Sequence, residues 1–401
     1  MTDLYTRIHA RAKELEPEIA RFLCDLIRTP SHSTKEKEVV AVIDREMRAL
    51  GFDEVRVDGL GSIIGRVGSG KRLVAFDAHI DTVYPGDRAL WRFDPFDAHI
   101  ADGKVWGRGA SDQKGGLAAM VYAGKIMKEM DLAGDFTVLF TGTVIEEDCD
   151  GLCWKYLVEE EQVRPEAVVI TEPTSLRIHR GQRGRMEMMV HAKGVSCHGS
   201  APERGDNAVY KIARIALEIE KLNARLADDP FLGQGTVTVT QVFFSSPSAC
   251  SVPDAASIQV DRRLTVGETI DTAVAEVREA CRRAGHPEAA VEVLQYAEPA
   301  YTGKVFPMQK YYPTWVTSAA SPYVQAAVAA YKAALGVEPV VDKWTFSTNG
   351  IAIAGLAGIP CLGLGPGHEK EAHAPNESCP VDHLGAAAAF YAAFMAQLNG
   401  R

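Results

Sequence analysis

Five short stretches of this 401-residue chain offer side chains that could hold metal: His79 with Asp81, Asp112, Glu146 with Glu147, Glu172, and His373. Asp112 stands in Gly107-Arg108-Gly109-Ala110-Ser111-Asp112-Gln113-Lys114-Gly115-Gly116, where a glycine-rich turn opens a helix. Alone, such an aspartate reads as an N-cap whose carboxylate accepts the free amide hydrogens of the first turn. The other four stretches each bring a His, Asp or Glu to or near an expected strand end, and together they favour a ligand. Five ligands with one shared carboxylate suit two divalent ions, each keeping a position open for water and substrate. Nitrogen and carboxylate donors without cysteine fit Zn²⁺, with Co²⁺ or Mn²⁺ as alternatives.

Each stretch also has an ordinary reading. A lone strand-end histidine is usually structural. His79 followed two residues later by Asp81 supports a sharper reading, with the imidazole on metal and the carboxylate orienting it from behind. Adjacent Glu146 and Glu147 repel and would ordinarily be a solvated pair. At the end of a buried strand beside a metal, one can be a ligand and the other a free base. Cys149 and Cys153 are spaced like half a zinc site, but no second pair follows, so they read as ordinary thiols. Gly65 to Arg72 nearly spells a phosphate-binding loop. Arg72 stands where Ser or Thr is needed and a strand follows, so the stretch reads as a hairpin turn.

These residues need a frame. Residues 3–28 read as helical, with Pro17 a candidate break and Ile19, Phe22, Leu23, Leu26 and Ile27 on one face. That helix stops at Thr29-Pro30, and a second, 35–50, ends at Gly51. Strands follow around 53–58, 61–67 and 73–81; in the last, Asp77, His79 and Asp81 share a face if it stays extended. Beyond the loop 84–104, Leu117, Met120, Val121, Gly124 and Met127 mark the helix after Asp112. A buried strand at 135–141 runs into Glu146-Glu147, and a helix at 151–161 and a strand at 167–170 lead to Glu172. Strands alternating with helices, with acidic residues at carboxyl ends, predict an α/β fold. Its mostly parallel mixed sheet would be covered by helices, with the ligands outside the strand ends.

From about 182 the rhythm changes. A strand at 186–192, a long helix at 207–226, strands at 236–242 and 257–264, a helix at 268–284 and a strand at 290–294 follow. The order β-α-β-β-α-β is ferredoxin-like, so residues 182–298 are expected to be an inserted α+β domain between catalytic parts 1–181 and 299–401. The last part returns to alternation, with helices at 321–335, 350–357 and from 381, and short strands at 340–344 and 360–364. It brings His373 back to the first part.

Length is comfortable for two domains, and 46% apolar with 24% charged residues is ordinary globular composition. A formal charge of −10 argues against a nucleic-acid partner. No stretch approaches the ~20 apolar residues of a membrane helix, and charges throughout the N-terminus leave no signal-peptide core. Eight cysteines without framework spacing suit a reducing cytoplasm.

The constellation resembles the di-zinc peptidase and deacylase family that includes carboxypeptidase G, acetylornithine deacetylase and succinyl-diaminopimelate desuccinylase. The resemblance covers nearly the whole length, inserted domain included. It rests on Ala78-His79-Ile80-Asp81, Gly107 to Gly115, Glu146-Glu147, Glu172-Pro173 and His373-Ala374-Pro375-Asn376-Glu377. Ala78 stands where glycine is common and Gln113 where an apolar residue is frequent; neither removes a functional atom. Ala78 to Pro85 with Trp91-Arg92-Phe93-Asp94-Pro95 also resembles the family's selenium-metabolism-linked branch, associated with selenium- or purine-linked gene neighbourhoods.

The resemblance implies one metal on His79, Asp112 and Glu172 and a second on Asp112, Glu147 and His373, with Asp112 bridging. It implies Glu146 as the general base acting on the bridging water, Asp81 orienting His79, and His198 from the inserted domain donating to the developing oxyanion. In dimeric members that histidine comes from the other subunit, so a homodimer through the inserted domain and a closing motion are expected. Arg263 matches the arginine for a substrate carboxylate, while Arg262 would face the other side of its strand. Asn207 and Asn349, with the loop 363–367, are expected to contact substrate, and His368 and His383 read as surface residues. The implied reaction is hydrolysis of an amide in a small carboxylate-bearing substrate, an N-acyl amino acid or a dipeptide. A carbamoyl or ureido bond, as in nitrogen salvage, would use the same ligands. A catalytically silent relative would be expected to have lost the base or a ligand, and this chain keeps all of them.

Overall fold

Val74 to His79 are buried at every position, the pattern of a parallel strand covered on both faces. In the computed structural model, which describes residues 2–400, this strand lies inside a nine-stranded sheet. In chain order, α1 (Thr2–Ile27) and α2 (Lys37–Ala49) precede β1 (Glu54–Val57), β2 (Ile63–Val67) and β3 (Arg72–His79). Then come α3 (Lys114–Glu129), β4 (Phe136–Thr143), α4 (Leu152–Glu159), β5 (Ala167–Ile170) and β6 (Ile178–Gln182). A second unit holds β7 (Gly184–Lys193), α5 (Ala208–Asn223), β8 (Thr236–Ser245), β9 (Ala255–Leu264), α6 (Ile270–Arg283) and β10 (Ala290–Val293), with β11 (Tyr311–Tyr312) added. The chain returns through β12 (Trp315–Val316), α7 (Pro322–Leu335), β13 (Val341–Trp344), β14 (Cys361–Gly363) and α8 (Val381–Leu398).

The main sheet runs β1-β2-β4-β3-β5-β14-β6-β12, with β13 beside β6. Its centre, β4-β3-β5-β14, is parallel, and β1 and β2 are antiparallel at one side. Helix α8 packs against α1, α3 and α7, and its alanines at 387–389, 392, 393 and 396 are buried, which permits close approach. The second sheet runs β8-β9-β7-β10, antiparallel throughout, with β11 on the end of β7. Counted in chain order that is strands 2-3-1-4, the ferredoxin-like arrangement. Met186, Met188, Val190, Ile212, Ile215, Ile219, Val260 and Val277 give it a core of its own. This sheet extends past residue 298, because Tyr311 and Tyr312 pair with Met186 and Arg185.

Three local expectations change. Pro17 does not interrupt α1: Leu15 and Ile19 on either side stay fully buried, and that packing outweighs the roughly 3 kcal/mol cost of an interior proline. The turn at 68–71 is not a hairpin, because β2 and β3 pair with opposite edges of β4. Gly70 lets it pass, since a Cβ there would lie 2.0 Å from the Asp135 carbonyl. The helix expected at 350–357 is one wide π-type turn, Ile351–Leu356.

Candidate metal centre

The parallel strands end together. His79 is the last residue of β3, Glu146 and Glu147 follow β4, and Glu172 follows β5. Asp112 comes just before α3, and His373 lies in the loop after β14. His79, Asp112 and Glu172 each bring one ligand atom within 4.8 Å of the others, and so do Asp112, Glu147 and His373. Asp112 belongs to both groups: Oδ1 lies 3.2 Å from His79 Nε2 and Oδ2 3.4 Å from His373 Nε2. It does not cap α3, whose N-cap position is Gln113 with no side-chain cap bond. His373 Nε2 is 2.9 Å from Glu147 Oε2, and Glu146 Oε2 is 3.9 Å from His79 Nε2.

Behind the ligands the backbone is fixed. His79 Nδ1 donates to the Asp81 carbonyl oxygen at 2.9 Å, which leaves the Nε2 lone pair facing Asp112 and Glu172. The Asp81 carboxylate stands beside the same ring nitrogen, Oδ1 3.5 Å from Nδ1, and also ties down the backbone. It accepts the N–H groups of Glu146 and Glu147, each at 3.1 Å, and the Ser33 hydroxyl at 2.6 Å. Just upstream, Ile145 has φ 63°, an unfavourable conformation for a β-branched residue. Its N–H is held by the buried Glu36 carboxylate at 3.1 Å.

Charge is crowded here. Burial, followed by repulsion among their neighbours, pushes Glu146, Glu147 and Glu172 above the ordinary carboxylate range. Burial would lower His79, but Glu172, Glu146, Asp112 and Asp81 outweigh it and raise the imidazole. Two imidazoles can supply at most two positive charges against the carboxylates of Asp112, Glu146, Glu147 and Glu172, and buried anions need compensation. Glu146 Oε1 and Glu172 Oε2 are also buried without a hydrogen-bond partner, as oxygens awaiting a cation or water would be. The residues fit a pair of divalent ions.

Asp112, Glu147, Glu172 and His373, with Glu146, open on a cavity of ≈ 340 Å³ that Arg263 also lines. Arg263 Nε donates to Asp261 Oδ1 at 2.8 Å, while Arg262 is fully buried against Glu268 and Glu276. Sequence reasoning missed Asp150, Arg185, Phe346, Ser347 and Glu369 on the same cavity. Arg185 pairs in register with Arg263 across β7 and β9, a neighbourhood invisible until the strands are aligned.

Two expected substrate contacts lie elsewhere. Asn349 is fully buried: its Nδ2 donates to Asp77 Oδ2 and Thr143 Oγ1, and its Oδ1 accepts from Gly151 N and Cys153 Sγ. No polar atom of its side chain remains for a ligand. Asn207 caps α5, its Oδ1 accepting from Val209 N and Tyr210 N. With His198 it lines a different cavity of ≈ 650 Å³ on the second unit. His198 is exposed there, with Nδ1 2.7 Å from the Ser200 hydroxyl, so one chain alone does not bring it to the ligands. His368 and His383 are half-buried rather than surface residues, their rings 5.2 Å apart. Among the described residues, no helix is long and apolar enough to cross a membrane.

Residues 75–397 match peptidase family M20/M25/M40. Over 383 residues the chain is 51% identical to an uncharacterised protein, YgeY, of Escherichia coli strain K12, covering 96% of this chain and 95% of that one. It is 28% identical over 378 residues to a succinyl-diaminopimelate desuccinylase of Acidiphilium cryptum, covering 92% and 95%. A tripeptidase structure from Staphylococcus aureus shares the fold at TM-score 0.74 and 20% identity, covering 96% and 99%. A family match across most of the length, with a half-identical relative aligned almost end to end, makes this chain a member of peptidase family M20/M25/M40, a hydrolase of amide or peptide bonds.

Proposed function

We propose that the chain hydrolyses an amide bond in a small molecule bearing a free carboxylate, an N-acyl amino acid or a dipeptide, with two divalent ions, Zn²⁺ foremost. The observation that carries this is the sharing of Asp112 between two three-residue ligand groups beside Glu146. The names of a desuccinylase and a tripeptidase among its relatives support the substrate class. Ions held by His79, Asp112 and Glu172 and by Asp112, Glu147 and His373 would lower the pKa of water and polarise a carbonyl. Glu146 Oε1, buried and unpartnered, takes the proton of the attacking water and returns it to the leaving nitrogen. Asp81 keeps that carboxylate aimed by holding its backbone N–H. Arg263, on the same cavity, orients the substrate through its carboxylate.

His198 completes the site from a second copy of the chain. The edge strand β8 exposes Val242, Phe243 and Phe244, and α5 beside it exposes Tyr210 and Leu217. Such an edge is a template for strand pairing unless covered, and a twofold pairing covers both copies at once. For the chemistry the direct test is Glu146→Gln. Turnover should fall by about 10²–10⁴-fold, the scale of a lost general base, while metal content stays at the wild-type level. Retained turnover would mean the base is another residue.

A further inference from the structure

Glu377 is fully buried and its carboxylate is fully used. Oε1 accepts from Ser111 N at 2.8 Å and Asp112 N at 2.9 Å; Oε2 accepts from Gly109 N at 2.9 Å and Arg108 Nη1 at 2.8 Å. Its backbone oxygen takes the Gly107 N–H at 3.0 Å. A single carboxylate therefore shapes the whole turn that presents Asp112, the residue shared by both ligand groups. Arg108 is buried as well and reaches the other way, its Nη2 3.5 Å from the carbonyl oxygen of His373.

We infer that Glu377 and Arg108 form a clasp that sets the separation of Asp112 and His373, and thereby the affinity of the second metal position. This rests on the metal-centre reading of the site and assigns the clasp a positioning role within it. The two positions depend on it unequally. His79 sits on a strand end, Glu172 is the second residue beyond another, and both are buried, so the sheet holds their spacing. His373 lies in a loop with φ 60°, its side chain 57% exposed, and only loop contacts hold it near Glu147. Residues behind metal ligands are typically worth 10–100-fold in metal affinity. Here that loss should fall on the position formed by Asp112, Glu147 and His373.

The test is calorimetric titration of metal-stripped full-length protein with Zn²⁺ and with Mn²⁺, comparing wild type, Glu377→Gln and Arg108→Lys. Glu377→Gln sets an amide NH₂ against converging donors. Arg108→Lys keeps the buried charge that Glu377 needs but shortens the reach to the His373 carbonyl, so it serves if the first variant does not fold. Circular dichroism confirms which are folded. The expected result is two binding events in wild type and, in a folded variant, one event unchanged and one weakened about 10–100-fold. Wild type binding two ions with folded variants titrating identically overturns the clasp alone. Wild type binding none overturns the metal-centre reading and the clasp together.

Discussion

At the scale of single residues, the site depends on groups that never touch a substrate. Glu36 holds Ile145 in its left-handed conformation, so that Glu146 and Glu147 turn inward. Burial, then repulsion from Asp81, pushes the Glu36 carboxyl up to about 8 from 4.5. A folded-state pKa above the unfolded one means that its contribution to stability is complete below pH 4.5 and is lost as pH rises through 8. Glu36→Gln removes this titration while keeping an oxygen for the Ile145 N–H. Thermal melts should therefore show the variant gaining on wild type between pH 5 and pH 9, and a constant difference would refute the assignment. The residues of the two groups could be picked out in the sequence because few side-chain types bind divalent ions and because all of them but His373, which lies in a loop, stand at or just beyond a strand end or at a helix start. Asn349 was misread because its amide is spent on Asp77, 272 residues away in the chain. Arg185 was missed because only strand register sets it beside Arg263.

At the scale of elements, α3 and β5 must approach closely for Asp112 and Glu172 to fall in one group of candidate ligands. Gly116 permits it: a Cβ there would lie 2.3 Å from the Thr171 carbonyl oxygen. Gly116→Ala should push the helix from the strand end, costing about 1–3 kcal/mol as overpacking does and weakening metal binding as well. Paired melting and metal titrations check this, and an unchanged variant would mean that the helix start yields freely. Strand and helix types followed well from periodicity, since β3 carries the apolar run Leu73 to Phe76 and the second unit's strands and helices keep their order. The supposed hairpin at 68–71 failed because local sequence does not reveal that β4, which begins only at Phe136, inserts between β2 and β3.

At the scale of the whole molecule, the second unit raises the question of partner. Substituting Phe244→Lys and Val242→Lys on the exposed edge of β8 should turn a two-chain species into a single chain by light scattering, with turnover falling as His198 loses its target. A wild type already of one-chain mass would contradict the pairing. The central claim concerns the two ligand groups, and its most direct measurement is metal content read together with hydrolysis. The protein is assayed as purified, after chelation, and after Zn²⁺, Co²⁺ or Mn²⁺ is restored, on N-acetyl, N-succinyl and N-carbamoyl amino acids and dipeptides. The expected result is about two ions per chain, as a dinuclear site requires, with chelation abolishing and metal restoring hydrolysis of one substrate class. A folded chain that binds no divalent metal would contradict it.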